Sequence, residues 1–290
     1  MSFSSDLKEE LSKISNWTKK EELKFELVGY LISKNTTVVK SNIRYATESE
    51  YNINRFSKIL KNLNIDHKIE FDGKSFVITF KTKDCIEDVN IEDKEIKVKN
   101  IDFKNDFIKR AFIRGAFLGA GSINNPDNNY HLEINLSNKT NLDFISEVIS
   151  SLNINVKKLE LDKKFSIYVK DGEEISNLIA LLGANKGVLD FEDIRVQREM
   201  RGKVNRIVNC QTANLNKTLN ASVEQIDAIR KLQQTKEFTK LDDNLKEIAL
   251  LRLEYPDISL VELGKKLKNP VGKSGVNYRL KKIIQIANEL

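Results

Sequence analysis

The apolar positions of this chain follow two periods. Ile145, Val148, Ile149 and Leu152 recur at helical spacing and make one apolar stripe. Just beyond them, Ile154-Asn-Val-Lys-Lys-Leu-Glu-Leu and Phe165-Ser-Ile-Tyr-Val-Lys alternate apolar and polar like half-buried strands, with Asp162-Lys163-Lys164 as the hairpin loop. The same succession occurs once before. Phe56-Ser-Lys-Ile-Leu-Lys-Asn-Leu-Asn-Ile-Asp matches Phe144-Ile-Ser-Glu-Val-Ile-Ser-Ser-Leu-Asn-Ile-Asn, and Phe76-Val-Ile-Thr-Phe-Lys matches the strand at Phe165. Upstream, Glu26-Leu-Val-Gly-Tyr-Leu-Ile-Ser-Lys-Asn matches Phe112-Ile-Arg-Gly-Ala-Phe-Leu-Gly-Ala-Gly, with Gly29 opposite Gly115. Three matched segments in one order, roughly 86 to 89 residues apart, predict a duplicated unit. Each copy reads as helix, strand or hairpin, helix, then hairpin. Asp72-Gly73 supplies the turn of the first copy's last hairpin. The predicted body spans residues 20–183, with repeats at about 20–104 and 105–183, behind a short helical segment at 1–19.

After Gly183 the pattern is wholly helical. A linker helix is predicted over 184–220, with residues 184–189 as the connection and a long helix from Phe191. It carries Arg195, Arg198, Arg201 and Arg206 largely along one face, with Glu192, Asp193 and Glu199 nearby. A solvated or inter-domain face and a set of secondary phosphate contacts are both open readings of those arginines. A further helix over Ala221 to Thr235 shows Val223, Ile226, Ile229 and Leu232 in step. Three more helices end the chain. The first, Leu241 to Glu254, stops at Tyr255-Pro256. The second begins at Ser259-Leu-Val-Glu262, a capping box, and the third runs from Ser274 to about Asn288. A helical domain at 221–290 results, with a helix-turn-helix at about 258–290.

Charge changes the picture at this point. The chain holds 48 Lys and Arg against 42 Asp and Glu, a net +6. From Lys265 onward there are seven cations and one acid, Glu289, so that stretch alone holds the excess. Such a concentration is the electrostatic footprint of phosphate contact. The third helix divides into a buried back of Val276, Leu280, Ile283 and Ala287 and a front of basic and amide side chains, as a recognition helix requires. Lys265, Lys273, Ser274, Asn277, Tyr278, Arg279, Lys281, Lys282 and Gln285 are the candidate DNA contacts. The rest of the composition excludes more than it suggests. Charged residues make up 31% and hydrophobic ones 40%, so a packed core is expected. No apolar run approaches the ~20 residues a bilayer demands, and the first residues carry acids in place of an apolar leader. Cys85 and Cys210 lie far apart, which disfavours a disulfide framework or a thiolate zinc site.

The two opening helices each place a glycine where backbone approaches backbone, and here the chain resembles the LAGLIDADG homing-endonuclease fold. In that family, the resemblance implies, the penultimate motif position is an acid, and the two acids bind the divalent metals that cut DNA. Those positions are Lys34 and Ala120 in this sequence. An ammonium and a methyl group offer no hard oxygen ligand, so the duplicated domain is expected to be non-catalytic and metal-free. His67 and His131 lack ligand spacing, and Gly119-Ala-Gly-Ser122 lacks the lysine of a phosphate loop. It reads instead as a helix end and turn. No cofactor is expected.

A degenerate LAGLIDADG body joined to a helix-turn-helix resembles the bacterial WhiA family over essentially the whole chain. The resemblance is carried by Phe112-Ile-Arg-Gly-Ala-Phe-Leu-Gly-Ala-Gly-Ser-Ile-Asn-Asn-Pro126, by Arg206-Ile-Val-Asn-Cys-Gln-Thr-Ala-Asn-Leu-Asn-Lys-Thr218, and by Pro270-Val-Gly-Lys-Ser-Gly-Val-Asn-Tyr-Arg-Leu-Lys-Lys-Ile283. It implies an α+β protein: a duplicated LAGLIDADG-like α/β saddle followed by an all-α helix-turn-helix domain. It further implies a cytoplasmic, nucleoid-associated binder of double-stranded DNA that acts in cell division, chromosome segregation or sporulation. The saddle would orient that domain or dock a protein, with no membrane partner. Two rival classes stand beside it: a protein-binding adaptor of the division machinery, and an active nuclease.

Overall fold

A computed structural model describes residues 2–290 and separates the chain into two units, Met1–Glu199 and Met200–Leu290. The first unit contains the duplication. Its first copy runs α2 (Lys20–Leu31), β1 (Thr36–Val39), β2 (Asn42–Thr47), α3 (Glu50–Asn62), β3 (His67–Phe71) and β4 (Phe76–Lys81), after a leading helix α1 (Phe3–Ser12). The second copy runs α4 (Asp106–Ala120), β7 (Gly121–Ile123), β8 (Leu132–Leu136), α5 (Lys139–Ser150), β9 (Lys157–Leu161) and β10 (Lys164–Val169), followed by α6 (Gly172–Leu182). The two antiparallel sheets have the same order, β1-β2-β4-β3 and β7-β8-β10-β9. In each, the two central strands bury alternate residues such as Ile43, Tyr45, Ile78 and Phe80, or Ile134, Leu136 and Ile167.

Helices α2 and α4 meet at the centre through their glycines. A Cβ on Gly29 would stand 2.1 Å from the Phe112 carbonyl oxygen, and one on Gly115 would stand 2.0 Å from that of Glu26. Both neighbours are backbone, so only glycine permits the contact. From Phe25 to Leu31 in α2 and from Ala111 to Gly119 in α4 every residue is buried, so both helices are enclosed on all sides along these stretches. N-caps fix where α3, α4, α5 and α6 begin: Ser49, Asn105, Asn138 and Asp171 each accept a main-chain N–H of the first turn.

Three features depart from the sequence expectation. Gly119 to Ser122 is no turn, since α4 leads at Gly121 straight into β7 in extended backbone. A two-stranded hairpin, β5 (Val89–Glu92) and β6 (Glu95–Val98), lies between the copies. It turns on Asp93 and Lys94, both with positive φ and neither a glycine, so the usual turn signature is missing. Finally, α7 is a single helix, Asn185–Gln233, where a connection at 184–189 and two helices were expected. Gly183, left-handed at φ 97°, ends α6, and one residue suffices before α7 starts.

In the second unit the end of α7 packs with α8 (Glu237–Lys240), α9 (Asp243–Glu254), α10 (Leu260–Lys265) and α11 (Lys273–Asn288). Ile229, Leu232, Leu245, Ile248, Leu263, Val276, Leu280 and Ile283 form its core. Val223, in step with Ile226, Ile229 and Leu232, is 58% exposed, and the polar Ser222 and Gln225 turn inward beside it. Among the described residues, no helix is long and apolar enough to cross a membrane.

Candidate nucleic-acid interface

The third helix of the trihelical array is positioned from both ends. At its start, the chain leaving α10 folds back so closely that a Cβ on Gly264 would lie 2.2 Å from the Val271 carbonyl oxygen. The Val271 N–H donates to Gly264 O at 3.3 Å. At its far end, the Lys231 ammonium donates to Ala287 O at 2.7 Å and satisfies a terminal carbonyl. Helix α10 itself starts on the expected capping box: Glu262 N–H donates to Ser259 Oγ, and Ser259 N–H to Glu262 Oε2. Hydrogen bonding from the Ser259 side chain, and then from its main-chain N–H, holds the Glu262 carboxyl below its usual range.

Helix α11 buries Val276, Leu280, Ile283 and Ala287, the four positions its period indicated. Lys273, Ser274, Tyr278, Lys281, Lys282 and Gln285 are exposed, with Tyr278 at 69%. Asn277 and Arg279 are half-buried at the flanks of this face. Lys282 lies 3.9 Å from Asp242, and Gln285 Nε2 donates to Glu289. Lys265 is exposed at the end of α10, and its neighbour Lys266 stacks 4.0 Å over the Tyr255 ring.

The arginines of α7 have diverse surroundings. Arg195 is paired to Glu192 and Glu199, and Arg198 donates to Pro126 O at 2.9 Å with its guanidinium over the Tyr130 ring. Arg201 and Arg206 have exposed side chains further along the helix.

The motif ends, where the resemblance would place acids, hold Lys34 and Ala120. Lys34 is exposed, and its main-chain N–H donates to Asn135 O at 3.1 Å. Ala120 ends α4, whose last carbonyls accept from side chains of the first copy: Asn52 Nδ2 reaches Leu118 O at 2.7 Å and Asn35 Nδ2 reaches Gly119 O at 2.8 Å. Both histidines are engaged. His67 is bonded to Ser57 Oγ and Ile65 O, and His131 stands 3.5 Å from Glu133.

Sequence reasoning passed over the electrostatic centre of the body. Glu26, fully buried on α2, accepts from Arg55 through Nε and Nη2, and from Arg114 of α4 through Nε and Nη2 at 3.1 and 2.9 Å. Burial alone would raise the Glu26 carboxyl, but the two guanidiniums overcome it and hold the group below its ordinary range. The signal was present as an acid in the stretch Phe25–Leu31, whose other members carry no charge.

The profile of the WhiA LAGLIDADG-like domain matches residues 38–92 and 109–201, and that of the WhiA C-terminal HTH domain matches residues 204–287. The chain belongs to the WhiA family. It is 47% identical over 173 residues, 60% of its length, to the "Probable cell division protein WhiA" of Clostridium tetani, and 47% identical to the protein of the same description from Clostridium beijerinckii. The matched region spans about half the length of these curated relatives, 54% and 55%. Among solved structures, it is similar to full-length DUF199/WhiA from Thermatoga maritima, with TM-score 0.61, 28% identity, and coverage of 100% of this chain and 99% of the other. The N-terminal LAGLIDADG domain of DUF199/WhiA aligns with TM-score 0.52 and 25% identity over 63% of this chain and 93% of that one. The family accounts for both halves of the architecture, a LAGLIDADG-like body and a C-terminal HTH domain.

Proposed function

We propose that this WhiA-family chain is a non-catalytic regulator that binds double-stranded DNA through α11 and acts in cell division, chromosome segregation or sporulation. One observation supports this reading above the others. Helix α11 is apolar where it packs and basic or amide where it is exposed, so Lys273, Ser274, Tyr278, Lys281, Lys282 and Gln285 are available to a duplex, flanked by Asn277 and Arg279. Lysines there neutralise phosphates, while the amides can read base edges. Lys265 adds a phosphate contact from α10, and Arg195, Arg198, Arg201 and Arg206 serve as secondary ones. In this reading Lys34 and Ala120 leave the saddle without a metal site, and the saddle docks a protein partner. The setting is the nucleoid of a bacterial cytoplasm. The "cell division" in the names of the clostridial relatives supports the biological role.

The test is duplex binding by the full chain across a salt series, beside Lys281→Ala and Lys282→Ala. Each lysine that neutralises a phosphate contributes about 0.9 to the slope of log K against log salt. The expected result is a slope shallower by about that amount for each variant. Unchanged slopes would favour the adaptor reading. Cutting of duplex in Mg²⁺ would overturn the non-catalytic part.

A further inference from the structure

The second unit holds a cavity of about 260 Å³ beside the start of α11. Lys217, Gln225, Arg252, Lys273 and Asn277 line it, and none of its lining residues is an acid. Arg252 is the unusual member. It is 1% exposed, and its Nη1 donates to the carbonyls of Tyr255, Pro256 and Ile258, the last at 2.9 Å. Its Nε has no partner, and among the described residues no carboxylate forms an ion pair with it. Gln225, 6% exposed, has an amide oxygen that is equally unpaired.

A buried guanidinium keeps its charge at a large desolvation penalty unless an anion compensates it. Main-chain carbonyls solvate Arg252 but do not neutralise it. Burial pulls its pKa downward, and no acid opposes that shift. Two more cations, Lys217 and Lys273, line the same space. Lys273 is also the first residue of α11, where the helix dipole disfavours a cation. The first turn of α11 has neither an acid nor a side-chain cap, so its N–H groups remain open to an acceptor. The guanidinium, the two ammoniums and the open N–H groups call for negative charge and are suited to a tetrahedral oxyanion, while the Gln225 amide oxygen, an acceptor, would take a hydroxyl proton of that group.

We propose that this cavity is an anion site that takes a phosphate group, held by Arg252 with Lys217 and Lys273. The phosphate can come from a DNA backbone or from a free phosphorylated small molecule. Lys273 and Asn277 belong both to the cavity and to the candidate DNA face, so a free phosphate compound would compete with duplex for them. The site itself does not depend on the DNA reading, because phosphate binding is measured with no DNA present.

The experiment uses the full chain and inorganic phosphate, titrated against chloride at constant ionic strength. Thermal unfolding and the Arg252 Nε–H resonance are followed together. The expected result is a saturable rise in the melting temperature and a matching movement of that resonance. Lys217→Ala and Lys273→Ala should each weaken the response about tenfold, while Lys236→Ala, an exposed lysine outside the cavity, should leave it unchanged. Arg252 is read through its resonance because its substitution could unfold the unit. Phosphate no more effective than chloride, a stationary resonance, or equal weakening by Lys236→Ala would each overturn the proposal. A random-sequence duplex is then added to the phosphate-saturated chain. Displacement of phosphate identifies the backbone as the source, and joint occupancy identifies a free phosphate compound. Should no duplex bind, the DNA reading fails while the phosphate titration still decides the site.

Discussion

Glu26→Gln tests what holds the two copies together. The substitution preserves volume and one acceptor oxygen but removes the only acid between Arg55 and Arg114 that is bonded to both. Arg55 retains the carbonyls of Ser12 and Ile14 and the amide of Asn16, so it is partly supported. Arg114 retains a single carbonyl, Leu182 O at 3.3 Å, and carries most of the loss. Breaking a buried pair by removing one partner costs about 3–5 kcal/mol. With a urea dependence near the upper end of the usual range, about 3 kcal/mol per molar, the midpoint should fall by about 1 to 2 M.

The assay is built into the chain. Trp17 is the single tryptophan, and the Arg55 guanidinium lies 5.2 Å from its ring centroid, so fluorescence follows the first unit beside the triad. Arg114→Met leaves Glu26 bonded to Arg55 and should cost less than Glu26→Gln. The double substitution should cost less than the sum of the two, since removing Arg114 eliminates the charge that Glu26→Gln strands. The sign with pH follows from the depressed Glu26 carboxyl: its contribution is present above the unfolded value and is lost as pH falls through the folded one. A midpoint shift under about 0.3 M, which is the worth of a surface pair, would refute the reasoning.

Gly115→Ala should destabilise the first unit by more than about 4 kcal/mol, because the added methyl meets Glu26 backbone at 2.0 Å; a soluble variant with an unchanged urea midpoint would show that the helices can part. Lys8 is the reverse case of Glu26. Burial lowers its ammonium from 10.5 to about 8, so the unfolded chain holds the proton more tightly and stability should rise as pH climbs from about 8 to 10.5. Lys8→Met should raise the neutral-pH melting temperature and abolish that rise. Ser259→Ala should lower the stability of the second unit by about 1 kcal/mol in thermal unfolding, with Ser259→Asp restoring most of it.

Periodicity revealed what depends on local pattern. The duplication, the hairpin loop beginning at Asp162, the capping box and the four buried residues of α11 were all legible, because in each the neighbours along the chain decide the outcome. Contacts between distant segments were not. The Glu26 triad joins residues 29 and 88 positions apart, and the duplication conceals it because Arg114 aligns with Val28 and Glu26 with Phe112. Val223 illustrates the converse. It keeps step with Ile226 and Ile229, yet the inward face is set by what α7 must meet, here the Pro256 carbonyl that accepts from Ser222 and the cavity beside Arg252 that Gln225 lines. The α5 stripe had no such competitor, and Ile145, Val148 and Ile149 are buried as read.

On the proposed reading, the saddle shows which part of a nuclease-like fold is structural and which part is chemical. Fold integrity rests on Gly29 and Gly115, where any side chain strikes backbone, and both remain glycine. Cleavage would depend on the motif ends, and those hold Lys34 and Ala120. The space between those ends is already taken up by hydrogen bonds. The carbonyls of Leu118 and Gly119 are bonded by Asn52 and Asn35, and Lys34 ties its own N–H to Asn135 across the copies. Restoring an acid at 34 and at 120 would therefore place carboxylates beside amides already committed to helix ends.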